Sequence, residues 1–280
     1  METGLRYMAQ TSNIPKIIIN QELSIQISLS GLSFCILQKD NNTITYLKHF
    51  DFEKKLNPFE VLDHLKHYFE TEQELQTTFS SVKVIYINEL STLVPEPLFN
   101  EECIADYLKF NSKILKSDYI SYDKIEANNS VNVYVPYVNI NNYIYEKFGA
   151  FIYKHFSTVI IENILLEEKN SNAQRVYVHI DIDHFEILIL NKGKLILYNT
   201  FEYKTKEDFI YYILFSCEQL NLDPETIELV LLGRVKKENA IYKIAYKYVR
   251  NVEIINLKIN FILPEDLSEN NSNYILLNSF

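Results

Sequence analysis

The chain has 280 residues, of which 47% are hydrophobic and 23% charged, a composition typical of one large or two modest globular domains and not of a disordered or fibrous protein. Asp and Glu number 37 against 27 Lys and Arg, a net charge of −10. This balance argues against a nucleic-acid partner, because phosphate contacts require clustered cations.

The first 20 residues are predicted to form a polar tail. They lack the apolar core of a signal peptide, and no later stretch is apolar for long enough to predict a membrane-spanning helix. Three widely spaced cysteines, Cys35, Cys103 and Cys217, are predicted to be buried free thiols rather than zinc ligands or disulfides. We therefore expect a cytoplasmic protein without membrane insertion.

Alternating apolar and polar residues predict two strands over 23–37, separated by a turn at Ser30-Gly31. A third strand is predicted over 43–52. Asn57 and Pro58 predict the N-cap and first turn of a helix that extends to residue 70. Residues 82–87 are an apolar run that predicts a buried strand.

The middle of the chain is less regular. A loop is predicted over 91–99, a helix over 100–110 and a hairpin over 118–137 that turns at Asn128-Asn129. The following predictions are a short helix that ends at Gly149, a strand and a helix over 158–168. The segment 99–137 is predicted to be an insertion, and such a segment is a natural partner-binding surface.

The second half repeats the order of the first. Strands are predicted over 175–181 and 184–190, with a third after a turn at 191–194. A helix over 205–219, a strand over 227–233, a helix over 238–249 and a final strand follow, and the tail from residue 264 is predicted to hold one short helix. The repeat predicts two α/β lobes with mixed sheets, 21–170 and 171–280, with any ligand site between them.

Three stretches carry a resemblance to a known fold. LSIQISLSGLSFCIL and RVYVHIDIDHFEILILNKGKLILYNTFEY resemble the two phosphate hairpins of the actin-like ATPase fold, closest to its pilus-assembly branch. IELVLLGR resembles the strand before the adenosine loop of that fold. The phrases TLVPEPLF, ADYLKFN and YEKFGAFIYKHFST are similar to an uncharacterised bacterial family with this fold. The resemblance implies duplicated actin-like (ribonuclease H-like) lobes, each a mixed sheet that opens with a three-strand meander.

The resemblance also implies a degenerate nucleotide cleft. The matching positions are Gln26, Ser28, Gly31, Asp181, Asp183, Gly233 and Arg234. Gln26 replaces the acidic residue that positions a metal, and a neutral amide supplies no charge to such a site. Asp183 replaces a glycine that would admit phosphate, and Arg234 replaces the second glycine of the adenosine loop. We therefore expect no cofactor.

A cluster of acidic and histidine residues suggests a second interpretation of the cleft. Alternation would put His179, Asp181 and Asp183 on one strand face beside His184 and Glu186, where they could bind a divalent cation or act as a general acid–base pair. The alternative is a solvated strand end. The other candidates, His64 with His67 on the first helix and the basic pair Lys236-Lys237, are also read as solvated faces. No catalytic or metal-binding residue is assigned.

These features favour a non-catalytic actin-like protein, a scaffold or interaction module for an unknown protein partner. One alternative is a divergent ATPase or kinase that binds ATP and Mg²⁺ through Asp181 and Asp183. Another is a sensor that binds a small molecule in the cleft between the lobes. The oligomeric state is not predicted.

Overall fold

The computed structural model describes residues 20–110, 112–115, 118–255, 261–263 and 273–280, so that all but the last residue of the predicted N-terminal tail lies outside the described part. In the described residues the elements are β1 (Gln21–Ile27), β2 (Gly31–Gln38), β3 (Thr43–Asp51), α1 (Pro58–Thr71), β4 (Ser81–Tyr86), β5 (Ser91–Pro95), α2 (Ile104–Lys109), β6 (Ser121–Ile125), β7 (Ser130–Tyr134), α3 (Val138–Phe148), β8 (Ile152–His155), α4 (Phe156–Glu167), β9 (Gln174–Ile180), β10 (His184–Asn191), β11 (Lys194–Glu202), α5 (Lys206–Gln219), β12 (Glu228–Gly233), α6 (Ala240–Tyr248), β13 (Asn251–Ile254) and α7 (Tyr274–Leu277).

Two five-stranded sheets have the same topology. Their strand orders are β3-β2-β1-β4-β8 and β11-β10-β9-β12-β13, and in each the three-strand meander is antiparallel while the last two strands are added in parallel. Even the β-bulge recurs at the matching place, between Ile36 and Leu37 in one meander and between Ile189 and Leu190 in the other. The predicted α/β class with two duplicated lobes is confirmed.

The first helix of each lobe begins in the same way. Asn57 caps α1 and Thr205 caps α5, and each forms a capping box with an acidic residue three positions later, Glu60 and Asp208. Such boxes satisfy backbone N–H groups that the first helical turn leaves without partners. No helix within the described residues is long and apolar enough to cross a membrane.

One face of each meander packs against the helices on the outer side of its lobe, and the other face is turned toward the opposite lobe. Ile25 and Ile27 of β1 pack into a core with α1 and α3, and Val178 and Ile180 of β9 pack into the matching core with α5 and α6. Because successive side chains point to opposite faces of a strand, the residues between them face the space between the lobes. The polar side chains of the site come from these inner faces.

The region from residue 91 to 134 contains a small third sheet, and one prediction made for it was wrong. Ser91–Pro95 was predicted as a loop, but it is a strand in a separate sheet of order β5-β7-β6. The sequence of this strand shows no alternation of apolar and polar residues, because only Val94 of its five residues is buried and Pro95 ends the strand. The bounds of the lobes and of the insertion over 99–137 remain predictions.

The C-terminal segment packs on the first lobe, although it falls in the predicted second lobe, 171–280. Ile262 pairs in parallel with Thr43 at the edge of β3, and Leu276 and Leu277 of α7 pack on Cys35 and its neighbours. The physical reason is the apolar run in α7, all four residues of which are buried. The predicted short helix is present, at 274–277.

Two of the three cysteines are buried and free, as predicted. Burial raises the pKa of the Cys35 thiol far above its usual value, and it raises the pKa of Cys217 to about 11, so both thiols stay protonated. Cys103 is free but exposed, which corrects the prediction for that residue.

Candidate functional site

A cavity of about 390 Å³ lies between the two lobes, where the turns after β1 and β9 meet the end of β12. Of the seven predicted cleft positions, six line it: Gln26, Ser28, Gly31, Asp181, Gly233 and Arg234. The seventh, Asp183, lines a neighbouring cavity of about 50 Å³. The topology therefore brings together residues that are separated by up to 208 positions in the sequence (Gln26 to Arg234).

An arginine links the two lobes at this cavity. Arg234 donates from its two Nη atoms to both carboxylate oxygens of Asp51, at 3.0 and 2.6 Å, and its Nε lies 2.9 Å from Oδ1 of Asp181. The hydrogen bond with Asp51 raises the pKa of Arg234, and the same bond lowers the pKa of Asp51. Asp51 belongs to the first lobe and Asp181 to the second, so we call these three residues the interlobe clasp.

Gly233 is fixed by the backbone beside it. Its φ is +87°, and a side-chain carbon at this position would collide with the backbone O and N of Ile180. The next N–H, of Arg234, donates to the carbonyl oxygen of Ile180 at 2.8 Å. The glycine thus lets β12 lie close to the end of β9 and places Arg234 in the cavity.

The inner face of the first meander presents a polar row. Strand register sets Gln26, Ser33 and His49 side by side on β1, β2 and β3, and all three line the cavity. Ser33 Oγ lies 2.7 Å from Nδ1 of His49, whose Nε2 lies 2.5 Å from Oδ1 of Asn273. Gln26 was predicted, whereas Ser33, His49 and Asn273 were not, although the polar, inward positions of Ser33 and His49 follow from the predicted meander.

The second meander presents a row at the matching positions, His179, Glu186 and Thr200. The Glu186 carboxylate is buried and contacts two rings, His179 Nδ1 at 2.9 Å and His184 Nε2 at 3.4 Å. Nδ1 of His184 lies 2.7 Å from Oδ1 of Asp183. The four side chains form a line that runs from the small cavity to the main one.

The charges in this line are set by their neighbours. Burial alone would raise the pKa of Glu186, but hydrogen bonds from His179 and His184 outweigh it and lower the pKa to about 2. Burial alone would lower the pKa of His184, but its bonds to Asp183 and Glu186 raise the pKa to about 11. At neutral pH the pair is therefore an ionised carboxylate and an imidazolium.

The predicted row of His179, Asp181 and Asp183 on one strand face is wrong. Strand β9 ends at Ile180, so both aspartates lie in the turn beyond it, where Asp181 pairs with Arg234 and Asp183 with His184. Within the described parts of the chain, no group of three or more His, Cys, Asp or Glu side chains is arranged to hold a metal ion.

The two remaining candidates, the histidine pair on α1 and the basic pair Lys236-Lys237, have ordinary surroundings. His64 contacts the rings of Phe52 and Tyr68 on the surface of the first lobe. Lys236 lines the main cavity and Lys237 is exposed beside it. The basic pair therefore contributes one cation to the cavity wall.

Comparison with known proteins agrees with this architecture. Residues 10–252 match the family described as "Protein of unknown function (DUF3822)", and no curated protein matches the chain. A structure from Bacteroides thetaiotaomicron, described as a protein with actin-like ATPase fold and unknown function, is 25% identical, with a TM-score of 0.76 over 85% of this chain and 91% of that one.

A second solved structure extends the likeness to the pilus-assembly branch. The PilM–PilN type IV pilus biogenesis complex includes a chain that is 12% identical, with a TM-score of 0.61 over 92% of this chain and 96% of that one. At this identity the likeness concerns the fold alone. The resemblance drawn from the sequence, an uncharacterised family with an actin-like fold similar to the pilus-assembly branch, is confirmed.

Proposed function

We propose that this chain, which belongs to the family described as "Protein of unknown function (DUF3822)", is an actin-like scaffold protein that works without nucleotide turnover. The observation that carries the proposal is the interlobe clasp. Arg234 lines the cavity in which a nucleotide of an actin-like ATPase would be expected, and its guanidinium is already shared between Asp51 and Asp181. The charged groups on this part of the cavity wall are thus already paired with one another.

The residues of the cleft do not suit ATP with Mg²⁺. A magnesium ion prefers carboxylates, but Gln26 is neutral and the carboxylate of Asp181 is committed to Arg234. A triphosphate that took Arg234 for itself would leave Asp51 and Asp181 facing its negative charge. In an environment with an effective dielectric of about 20, one unpaired carboxylate about 4 Å from one phosphate charge costs about 4 kcal/mol.

The interlobe clasp also restrains the relative position of the two lobes, as expected of a scaffold. A bidentate arginine–carboxylate pair fixes direction as well as distance, and here it joins β3 of the first lobe to the end of β12 of the second. Both partners are partly exposed, so the pair contributes at most about 1 kcal/mol to stability. Its role is to hold one relative position of the lobes, with no ligand required.

Calorimetric titration with ATP, with and without Mg²⁺, tests this proposal. We expect no heat of binding for the natural protein, and no stabilisation in thermal unfolding, where a ligand at a hundredfold excess over its Kd would add about 2.7 kcal/mol. Arg234→Ala, which opens the clasp but leaves the two carboxylates unpaired, is expected to bind no better.

The result that contradicts the proposal is also specific. Micromolar binding that requires Mg²⁺ and disappears in Asp181→Ala would establish the alternative, a divergent Mg²⁺-dependent ATPase or kinase. Lys237→Ala serves as the control, because this residue is exposed and lies outside the lining of the cavity.

We further propose that the scaffold binds a protein partner through the sheet β5-β7-β6 and the residues around it. PilM, whose fold this chain shares, was solved in complex with PilN. On this chain the region exposes four large apolar side chains: Leu98 (70%), Phe110 (90%), Leu115 (68%) and Tyr119 (53%). Exposed apolar surface of this kind is typical of an interaction site.

Charge substitution on this surface tests the partner proposal. The double variant Leu98→Glu and Phe110→Glu is expected to lose a protein that co-purifies with the natural chain, with an unchanged melting temperature because both side chains are exposed. Tyr211→Glu, at an exposed position of α5 in the other lobe, is the matched control and keeps the partner. Equal loss in all variants, or loss in none, would contradict the assignment.

A second candidate function, a sensor that binds a small molecule, is favoured by the cavity itself. Its volume of about 390 Å³ falls within the range of about 300–1,000 Å³ that is typical of ligand pockets. Such a ligand would be smaller than a nucleoside triphosphate and would meet a polar wall. Stabilisation by metabolites other than nucleotides would favour this candidate over the scaffold.

A further inference from the structure

We propose that Ser33 is a nucleophilic serine, activated by His49 and positioned through Asn273, and that the cavity between the lobes accepts a small activated acyl ester. The inference goes beyond the scaffold proposed above and does not depend on it, because it involves no nucleotide. It assigns an acyl-transfer reaction to a cleft for which the sequence predicted none.

The first support is geometric. Ser33 and His49 lie directly opposite each other on neighbouring antiparallel strands, so the backbone itself holds the hydroxyl and the imidazole together. Their separation, 2.7 Å from Oγ to Nδ1, is within the range of about 2.6–3.2 Å that is typical of a nucleophile and its base. Both side chains line the cavity and are accessible from it.

The second support is the tautomer of the ring. The oxygen of an asparagine amide can only accept a hydrogen bond, so Nε2 of His49 donates its hydrogen to Oδ1 of Asn273 at 2.5 Å. In the neutral ring the other nitrogen, Nδ1, then carries the lone pair and accepts the hydroxyl hydrogen of Ser33. This is the protonation state that a general base requires.

The third support is the environment of Asn273. It is only 1% exposed and stands at the N-cap of α7, where an asparagine usually accepts a hydrogen bond from the helix backbone. Its side chain makes no such bond and instead contacts His49. The C-terminal segment thus supplies a buried positioning residue to a pair on the first meander, which completes a nucleophile, a base and an orienting group.

The reaction follows from these positions. Ser33 Oγ attacks the carbonyl carbon of the ester and a C–O bond forms, while the hydroxyl proton passes to Nδ1 of His49. The tetrahedral oxyanion collapses, the bond to the leaving alcohol breaks, and His49 returns the proton to that alcohol. Water then hydrolyses the acyl-serine by the same route and releases a carboxylic acid.

Acetylation by p-nitrophenyl acetate tests the proposal in the full-length protein. We expect one acetyl group per chain by intact mass, mapped to Ser33 by peptide sequencing, with matching release of p-nitrophenolate. Ser33→Ala is expected to abolish the label, and His49→Gln to slow it about a hundredfold, the contribution typical of a general base. Ser80→Ala is the control and keeps the label, since Ser80 is exposed and lies outside the lining of the cavity. Ser30, which lines the cavity and contacts the hydroxyl of Ser28, is the internal reference for the rate of acetylation.

Asn273 distinguishes positioning from simple packing. Asn273→Asp keeps an acceptor oxygen and is expected to retain the label, whereas Asn273→Leu, of similar size, slows it at least about tenfold by releasing the ring. The proposal is overturned if Ser33 is acetylated no faster than Ser30, or if His49→Gln leaves the rate unchanged in a protein with the natural melting temperature. ATP binding in the titration above would contradict the scaffold but not this site.

Discussion

Gly233→Ala is expected to destabilise the protein by about 2–6 kcal/mol. Two costs combine at this position: a φ of +87° that side chains rarely adopt, worth about 1–3 kcal/mol, and a collision with the backbone of Ile180, worth about 1–3 kcal/mol as overpacking. The backbone of Ile180 cannot yield easily, because it is paired with Gly233 in the parallel ladder of β9 and β12.

Gly149→Ala is the matched control for this prediction. Gly149 has a similar φ of +77°, but no atom lies within 4 Å of an added side-chain carbon. We therefore expect a smaller loss of about 1–3 kcal/mol, from backbone strain alone. Urea denaturation of both variants measures the difference, and equal midpoints would show that β12 can move away from β9 at no cost.

The loop at Gly233 departs from the actin-like pattern at one position. The actin-like resemblance implies a double glycine at this loop, and the chain retains one glycine followed by Arg234. The retained glycine is required by strand packing, whatever the cleft binds. The position of the lost glycine is the one that carries the interlobe clasp.

Much of the fold could be predicted because it depends on local patterns. Alternation located the strands of both meanders, and Asn57-Pro58 located the start of α1. The matching order of the two halves then predicted two similar sheets. Ser91–Pro95 was missed because a strand with a single buried residue has no period to detect.

The cleft could be predicted in part, since the topology of a two-lobed fold brings the ends of β1, β9 and β12 together. Contacts that link distant segments of the chain could not be predicted. Asp51 and Arg234 are 183 positions apart, and His49 and Asn273 are 224 apart. Nothing in the local sequence around any of these residues specifies its partner. Asp183 was misplaced because the strand before it ends one residue earlier than the alternation suggested.

The ion pair of the buried Glu186 with the partly buried His184 yields the second large prediction. Glu186→Gln is expected to cost about 3 kcal/mol near neutral pH, because it removes one of the two carboxylates that hold the charge of the mostly buried imidazolium of His184. Glu162→Gln is the control, since it removes a carboxylate from a partly exposed ion pair with Lys154 and should cost at most about 1 kcal/mol. Chemical denaturation of the two variants measures the difference directly.

The same pair predicts how stability varies with pH. The folded pKa of His184, about 11, is above its ordinary value of 6.5, so its contribution is complete below pH 6.5 and is lost as the pH rises toward 11. The folded pKa of Glu186, about 2, is below its ordinary 4.5, so its contribution is complete above pH 4.5 and is lost as the pH falls toward 2. The contribution of this pair to the free energy of unfolding should therefore be greatest between pH 4.5 and 6.5.

Removing the carboxylate should flatten the alkaline side of this profile. In Glu186→Gln the pKa of His184 falls toward its ordinary value, since Asp183 alone remains to hold the charge, and the loss of stability between pH 7 and 9 becomes smaller than in the natural protein. Titration of the His184 ring by NMR checks the cause: the ring should stay protonated to pH 9 in the natural chain and lose its proton earlier in the variant. A natural ring that titrates near pH 6.5 would show that the line from Asp183 to His179 does not carry the charges assigned to it.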